Sequence, residues 1–450
     1  MSKHFKFKRG FDIRLKGAPE RTVSEAPAPI TVALKPTDFV GLTPKLRVKP
    51  GDAVLAGDPL FFDKYNPEIL FTSPVSGTVK DIVRGERRKI LEVVVEPDGK
   101  QLCRRFELSA PDKMSREQIR NTLLRSGLWP FLKRRPYGTM ARPDETPRDI
   151  FISGFDSAPL APDYDFIFKG ERNELMAGIE VLRKLTDGKI WLGLAPKQAN
   201  GVLSSLLNVE VSVFEGPHPA GNVGVQIHHT APVNKGEAVW TISVQGLAVI
   251  GRLFTTGLPD FSITVALTGS EVIVPQYYKT VMGAELGGLF ENRTKKLVNE
   301  RYISGNVLTG TQVPINGYLG FYDQTTTVIP EGDDYELLGW ALPGINKFSG
   351  SSTFLAKLFP KKEYTLDANM HGGERAFVLT GQYEKYLPMD VLPVYLLKAI
   401  LVGDIDRMEQ LGIYEVIEED LALCEYGDTS KIKVQKILRD GIDLMVKELG

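Results

Sequence analysis

Residues 51–80, GDAVLAGDPLFFDKYNPEILFTSPVSGTVK, combine short apolar runs with closely spaced turn signals. Glycine-containing turns are marked at residues 49–51, 56–58 and 75–77, and valine and isoleucine alternate with polar residues around them from residue 30 to 96. Alternation with a period of two is typical of strands that bury one face, and glycine or proline clusters end such strands. The segment therefore predicts a small all-β barrel or sandwich.

The same stretch resembles the lysine-bearing hairpin of lipoyl and biotinyl carrier domains, which places Asp-Lys at a tight turn and continues into Ser-Pro-Val-x-Gly. Asp63-Lys64 and residues 73–77 match both parts. Lys64 lies two residues further from the Ser-Pro than is usual in those domains, and Asn66-Pro67 is the natural turn. We therefore expect a carrier-type module in which Lys64 is not a modified arm.

Downstream of the barrel, the apolar period changes to that of a helix. Ser115 and Gln118 form a capping box ahead of apolar residues on one helical face. From residue 148 to 250, strands alternate with helical stretches such as 173–188, which favours an α/β layer with parallel strands. Short strands and glycine-marked turns then predict a β-grasp-like module at 257–330.

The remaining residues are predicted to be turn-rich and then helical. The stretch from 331 to 380, which includes ELLGWALPGINKFS, contains many turn signals. In the final segment, 430–449, one stripe of a predicted helix carries Val434, Ile437, Leu438 and Met445. We expect this stripe to pack on the protein's own core or on a partner subunit, and contact with lipid headgroups is the alternative.

The overall composition excludes several classes of protein. The 450 residues carry 55 Lys and Arg against 56 Asp and Glu, so no global basic field drives binding to nucleic acid. Cys103 and Cys424 are far apart and lack a C-x-x-C neighbour, which indicates a reducing cytoplasm. The N-terminal residues lack a signal-peptide core and indicate an edge strand. The apolar run 391–403 is interrupted by Lys398 and is shorter than the roughly 20 residues of a membrane span.

The stretch EGPHPAGNVGVQIHH, residues 215–229, is the richest in glycine and histidine. Its glycines permit the backbone to approach an anion or a ring, and a wide connection fixed by proline is the alternative. His228 and His229 are expected on an extended segment, where they point to opposite faces. Together with His218 they predict no zinc site. No dinucleotide or P-loop glycine motif is found in the sequence.

A second stretch, SGLWPFLKRRPYG at residues 126–138, alternates basic and aromatic residues. These are Lys133, Arg134, Arg135, Trp129, Phe131 and Tyr137. Such a cluster predicts docking of phosphate, a lipid headgroup or an acidic protein surface. The alternative is a solvated loop whose aromatic side chains anchor it to the core.

Several longer motifs occur in a fixed order along the chain: KFKRGFDIRLKGAPE, FTSPVSGTVKDIVRGERR, FEGPHPAG, YISGNVLTGT, ELLGWALPGINKFS and EEDLALCEYG. In this order they resemble the A subunit of the bacterial Na+-translocating NADH:quinone reductase over essentially the full length. That family is related to the C subunit of the Rnf complex and to the NADH-binding flavoprotein subunit of respiratory complex I.

The resemblance implies an α+β multidomain protein with four parts in the order derived above. We expect a barrel-sandwich hybrid domain of the biotinyl/lipoyl type at 1–100 and a Rossmann-like α/β domain at 101–256. A β-grasp module of the SLBB type at 257–330 and a turn-rich, then helical, C-terminal region at 331–450 complete the chain.

The resemblance also implies a peripheral subunit on the cytoplasmic face of the bacterial inner membrane, bound to integral membrane subunits. The complex couples oxidation of NADH and reduction of ubiquinone to Na+ export, using FAD, FMN, riboflavin and Fe-S centres. Related flavoproteins place a glycine-rich loop where this chain has residues 129–135, and their tails carry cysteine clusters where only Cys424 remains. We expect no flavin, Fe-S cluster, metal ligand or catalytic residue in this chain.

The family is associated with quinone binding, which calls for an apolar cleft with a few polar groups. The quinone-proximal candidates are Trp129, Phe131, Tyr137, Gly216, His218 and Gly221. Two other functions stay open at this point. A free-standing flavin-binding oxidoreductase fits the α/β region but lacks the glycine-rich loop, and a lipoyl or biotinyl carrier rests on residues 51–80 alone.

Overall fold

The computed structural model describes residues 3–296, 299–332, 344, 347–348, 358–359, 361–379 and 381–449. Most of the predicted turn-rich stretch, including nearly all of ELLGWALPGINKFS, lies outside the described residues. In the described residues, the strands β1 to β20 span, in chain order, Lys3–Lys6, Glu20–Glu25, Val32–Leu34, Pro44–Leu46, Ala53–Val54, Pro59–Asp63, Leu70–Thr72, Gly77–Arg84, Ile90–Pro97, Lys133–Arg135, Thr139–Met140, Ile150–Ser153, Ile190–Leu194, Glu210–Glu215, Val239–Ser243, Ser262–Thr268, Gln276–Val281, Glu300–Ser304, Thr311–Val313 and Thr325–Pro330.

The α-helices begin after the barrel, and five of them follow one another between residues 383 and 449. Over the same described ranges, α1 to α11 span Arg116–Ser126, Tyr164–Ile167, Arg172–Leu185, Val223–Thr230, Val244–Thr256, Gly287–Phe290, Tyr383–Tyr386, Pro393–Leu401, Ile405–Gln410, Glu418–Gly427 and Val434–Leu449. The predicted capping box is confirmed, because the Ser115 hydroxyl accepts from the Gln118 N–H while the Gln118 side chain accepts from the Ser115 N–H. No described helix is long and apolar enough to cross a membrane.

The N-terminal module contains two small sheets, ordered β3-β9-β8-β5 and β4-β6-β7. Their facing sides form a common apolar core, in which the rings of Phe61 and Phe71 stack with centroids 4.8 Å apart. Residues 64–69 connect β6 to β7, and Lys64 is exposed at the start of this connection, with its Nζ 5.1 Å from the ring of Tyr65. The Asn66 carbonyl accepts from the Ile69 N–H and closes the predicted turn.

The central sheet has seven strands in the order β1-β14-β13-β12-β15-β10-β11. The first five run parallel, and β10 and β11 continue it antiparallel. The first residues of the chain thus form the edge strand that was predicted, but they extend this sheet and not the barrel. The predicted helix at 173–188 is α3, whose apolar face packs on α5 and the sheet core.

A second large sheet, ordered β19-β18-β20-β16-β17-β2, mixes parallel and antiparallel pairs. Strands β16 to β20 come from the predicted module at 257–330, whereas β2 arrives from the N-terminus and pairs parallel with β17. Chain proximity does not determine such a pairing, because any free strand edge can accept a strand. The domain boundaries remain predictions, and residues 3–25 contribute to both large sheets.

The C-terminal helices enclose a separate apolar core around α8, α10 and α11. Val434, Leu438 and Met445 of the predicted stripe are fully buried there, and Ile437 packs against it partly buried. The expectation that α11 packs on the protein's own core is confirmed. The physical reason is the i, i+4 spacing, which lines up these side chains on one face of the helix.

Candidate functional site

The order of the parallel strands reverses between β12 and β15. From β12 the chain adds β13 and β14 on one side, and β15 then pairs on the other side of β12. In open α/β sheets, ligands bind outside the carboxyl ends of the strands at such a switch point. Here Ser153 ends β12 and Ser243 ends β15, so the crevice beyond them is the candidate site. We call it the switch-point crevice.

Polar side chains of the chain itself fill part of this crevice. The Ser153 hydroxyl donates to the Gly221 carbonyl at 2.7 Å and accepts from the Gln226 Nε2 at 2.9 Å. The Gly221 N–H in turn donates to the Ser157 hydroxyl at 2.8 Å. A β-carbon at Gly221 would lie 2.6 Å from the Ser157 nitrogen, so the two backbones can approach only because this residue is glycine.

His218 lies in the same corner and is almost fully buried. Its backbone N–H donates to Asp12 Oδ1 at 2.9 Å, and its Nδ1 is 3.0 Å from the Ser157 hydroxyl. Burial lowers the pKa of His218 to about 4, so the imidazole is neutral at physiological pH. Gly216, two residues earlier, packs against Phe7 near β1. The structure thus brings Gly216, His218 and Gly221 together beside the crevice.

A buried ionic cluster lies against the start of α4, where a β-carbon on Gly224 would meet Asp420. Arg135 donates from Nη1 to Asp420 at 2.8 Å and from Nη2 to Glu419 at 2.7 Å. The side chain of Arg135 is 4% exposed and that of Asp420 is fully buried. The Asn222 side-chain amide donates to the Glu419 carbonyl at 2.9 Å, which ties the start of α10 to the start of α4.

Electrostatics keep Arg135 in its charged form. Burial lowers the pKa of Arg135, but attraction by Asp420 and Glu419 outweighs it, so the net shift is upward. Burial raises the pKa of Glu419, while Arg135 opposes that rise. The Asp420 carboxylate also accepts from the Ile417 N–H at 2.9 Å, which caps α10. One buried cation therefore compensates two carboxylates that come from the first turn of a helix.

Lys133 connects the crevice to the six-stranded sheet. Its Nζ lies 3.6 Å from the centroid of the Tyr322 ring, and burial lowers its pKa. The Tyr322 hydroxyl donates to the Pro130 carbonyl at 2.7 Å. Next to it, the Asp323 carboxylate accepts from the Ser304 hydroxyl at 2.6 Å, and burial raises the pKa of Asp323. Lys133, Tyr322 and Asp323 thus form a half-buried polar row beside β10.

The stretch 126–138 is more ordered than either predicted alternative. Residues Trp129–Phe131 form a 3-10 turn, and Lys133–Arg135 is the strand β10, paired antiparallel with β15. The Trp129 indole donates to the Ala141 carbonyl at 2.8 Å and is fully buried, and Phe131 is 4% exposed. The buried aromatic side chains therefore anchor the segment, as the second alternative stated. Arg134 and Arg135 pair with acidic residues of the same chain, and Lys133 lies over the Tyr322 ring.

Tyr137 lies apart from the other two aromatic candidates. It is half-buried, its ring centroid is 6.2 Å from that of Tyr414, and its carbonyl accepts from Arg439 Nη1 at 3.0 Å. The six sequence-predicted residues therefore fall into three places: the core for Trp129 and Phe131, the crevice corner for the 216–221 residues, and the α10–α11 side for Tyr137.

The expectation of an extended segment at His228 and His229 is wrong. Both lie on α4, where the backbone is helical because the apolar residues before them pack on the sheet. His228 Nδ1 contacts Glu415 at 2.5 Å, and His229 Nε2 contacts the Pro388 carbonyl at 2.7 Å. Across the described ranges, no group of three or more His, Cys, Asp or Glu is placed to hold a metal ion.

Sequence reasoning missed the acidic partners of Arg135. Glu419 and Asp420 are 284 and 285 residues away, so only the fold brings them into contact. A usable signal was nevertheless present: an Arg-Arg pair beside apolar residues and three consecutive acidic residues at a helix start, Glu418 to Asp420, both need partners once buried. Ser157 and Gln226 carried no comparable signal.

Family models match three segments of the chain. They are described as the NqrA N-terminal barrel-sandwich hybrid domain at 5–98, the NqrA second alpha/beta domain at 114–258 and the NQRA C-terminal domain at 264–314. Together they cover more than half of the chain. The barrel-sandwich and α/β parts of the predicted fold class are thereby confirmed.

Curated relatives extend the similarity to nearly the full length. The A subunit of the Na(+)-translocating NADH-quinone reductase of Yersinia pseudotuberculosis serotype O:1b is 41% identical over 440 residues, 97% of this chain and 98% of that protein. The corresponding protein of Pasteurella multocida is 39% identical and that of Neisseria meningitidis serogroup C is 38% identical, each over 98% of this chain and 99% of the relative.

Among solved structures, an NAD+-reducing [NiFe]-hydrogenase in the air-oxidized state covers 76% of this chain and 65% of its own, at 12% identity and a TM-score of 0.38. A TM-score this low does not establish a shared fold. The family models and the full-length relatives agree with each other and with the order of sheets. The chain therefore belongs to the family formed by the A subunits of the Na(+)-translocating NADH-quinone reductases.

Proposed function

We propose that this chain is the A subunit of a Na(+)-translocating NADH-quinone reductase, which couples NADH oxidation and ubiquinone reduction to Na+ export. The observation that carries the proposal is the 41% identity to a family member over 97% of this chain. Its partners are the other subunits of the complex, among them integral membrane subunits. The chain itself lies at the cytoplasmic face of the inner membrane as a peripheral component.

In this proposal, the chain carries no redox cofactor of its own within the complex. A flavin phosphate needs a loop of free backbone N–H groups, but after α1 the chain buries Trp129, Pro130 and Phe131 in a 3-10 turn. Cys424 is fully buried, and burial raises the pKa of its thiol, which disfavours the thiolate that metal ligation requires. These two observations support a chain without FMN or an Fe-S cluster.

The finer fold assignments are part of the same proposal. The parallel order β14-β13-β12-β15 supports a Rossmann-like domain at 101–256. The mixed sheet with the short helix α6 supports a β-grasp module of the SLBB type at 257–330. We also propose that the barrel-sandwich module comprises residues 1–100 and that a turn-rich, then helical, C-terminal region comprises residues 331–450.

Contact with quinone is proposed for the crevice side of the molecule. Gly216, His218 and Gly221 lie together beside the switch point, and Tyr137 is half-buried on the α10–α11 side. A neutral His218 suits a quinone oxygen because it can donate one hydrogen bond without a charge. Trp129 and Phe131 are almost fully buried, so in such a site they would support the neighbouring backbone and would not contact quinone directly.

Purification of an affinity-tagged chain from native membranes tests the main proposal. We expect flavin-bearing membrane subunits to copurify, and we expect the separately expressed chain to be colourless. A yellow isolated chain with flavin absorbance would support the free-standing flavoenzyme instead. For the quinone contact, a photoreactive quinone analogue should label residues 137 or 216–221 in the complex. Labelling confined to other subunits would contradict it.

A further inference from the structure

A second cleft, separate from the switch-point crevice, opens between the N-terminal module and the C-terminal helices. Its volume is about 770 Å³, and it is lined by residues 36, 37 and 39–46, by residues 84 and 88–90 of the β8–β9 hairpin, and by Glu418 and Arg439. We call it the basic cleft. Its size lies within the range of about 300–1,000 Å³ that is typical of ligand sites.

The floor of the basic cleft is apolar and its rim is cationic. Phe39 and Ile90 lie at the bottom with 3% and 8% of their surface exposed, and Val40 reaches the surface at 36%. The rim carries the exposed residues Lys45, Arg84, Arg88 and Lys89. Exposed apolar surface at Val40 thus lies beside four cations of like charge.

These cations have no anionic partner in the part of the chain that the structure describes. The Arg84 guanidinium donates only to the Arg88 carbonyl, at 3.1 Å. The single carboxylate of the lining, Glu418, is already bound by Arg439, whose Nε and Nη2 each donate to one of its oxygens. The cleft therefore concentrates positive charge in a chain whose formal net charge is -1.

We propose that the basic cleft docks an acidic segment of another subunit of the complex, with apolar side chains of that segment seated on Phe39 and Ile90. Charge complementarity selects an acidic partner, because the unpaired cations stand on two separate chain segments around the cleft. The inference rests on the proposed function, which supplies the other subunits.

The shape of the cleft favours a polypeptide over a membrane surface. The apolar residues Phe39 and Ile90 are recessed, and a bilayer surface cannot follow the chain into a cavity, whereas a side chain can. Peripheral membrane binding uses apolar residues that protrude. Of Phe39, Val40 and Ile90, only Val40 reaches the rim.

The first test uses a photocrosslinker in the assembled complex. Val40 is replaced by benzoylphenylalanine, and Leu207, which is 60% exposed on the α/β side, is replaced in a control. After irradiation of the purified complex, mass spectrometry identifies the crosslinked peptide. A crosslink from position 40 to an acidic segment of another subunit is the expected result. A crosslink to lipid, to a segment without net negative charge, to this chain alone, or none at all overturns the proposal.

The second test removes the charge without touching the floor. The variant R84S/R88S/K89S should raise the dissociation constant of this chain from the complex about tenfold at low salt, since three exposed ion pairs are lost. The control K113S/K169S/K197S removes equal charge from exposed positions elsewhere and should leave binding unchanged. Equal affinity of both variants overturns the docking proposal. Failure of the unaltered chain to copurify with any subunit would instead overturn the proposed function.

Discussion

The ionic cluster near the switch-point crevice and the rim of the basic cleft both carry arginine side chains, but only the first set is paired. In the ionic cluster, Arg135 is 4% exposed and is paired with Asp420 and Glu419. In the cleft, Arg84 and Arg88 are exposed, and among the described residues they have no carboxylate partner. The chain itself neutralises the first site and leaves the second without a counter-charge.

This difference separates charges that affect the stability of the fold from charges that affect association with a partner. Removing one partner of a buried ion pair destabilises the fold, because it leaves an uncompensated charge in a medium of low dielectric. An exposed unpaired cation contributes almost nothing to the fold and is free to contribute to association. Substitutions should therefore separate the two regions by readout: stability for the crevice, assembly for the cleft.

The largest effect is expected from R135M. Methionine fills the volume but leaves Asp420 buried without its cation, so we expect the free energy of unfolding to fall by about 3–5 kcal/mol in urea denaturation. The control R183A breaks an exposed i, i+3 pair with Glu180 and should cost about 0.5 kcal/mol or less. Similar losses for the two variants would contradict the claim that the buried pair matters more for stability than the exposed pair.

A smaller loss is expected from G224A on α4. A β-carbon there would clash with Asp420 Oδ1, so the ionic cluster must shift, at about 1–3 kcal/mol. Alanine favours a helix interior by up to about 1 kcal/mol over glycine, which packing strain should outweigh. The control G170A meets nothing within 4 Å. A G224A protein as stable as the unaltered chain in the same denaturation experiment would show that the crevice is loosely packed.

The third prediction concerns pH. His218 is neutral when folded, with its pKa lowered to about 4, and an unfolded histidine titrates near 6.5. Its contribution is complete above pH 6.5 and is lost as the pH falls toward 4, by up to about 1.4 kcal/mol per pH unit. The variant H218N should flatten the decline of stability in that window. H4N, at a half-exposed histidine of β1, is the control and should keep the slope.

The smallest effect on stability is expected from R84S/R88S/K89S. These side chains leave the rim of the basic cleft without removing a described ion pair, so the free energy of unfolding should change by about 0.5 kcal/mol or less. Thermal and urea denaturation of the isolated chain measure it. A clear stabilisation would indicate that these cations repel one another in the free protein. A clear loss would show that their side chains stabilise the folded chain.

Sequence reasoning worked wherever the controlling interactions are local. The capping box at Ser115 and the turn at Asn66 involve partners within a few residues, and the stripe on α11 follows from the helical period alone; each was found as expected. It failed at His228 and His229, because the glycine-rich sequence before them favoured an extended conformation while packing on the sheet imposed a helix.

Periodicity, turn chemistry and motifs in series were enough to predict the order of the parts, the barrel that contains residues 51–80, and the family. Only the tertiary structure decided that β1 and β2 join two different sheets, and that Arg135 meets acidic residues from 284 positions away. The physical reason is that an open strand edge or a buried charge specifies what kind of partner it needs, but not where in the chain that partner lies.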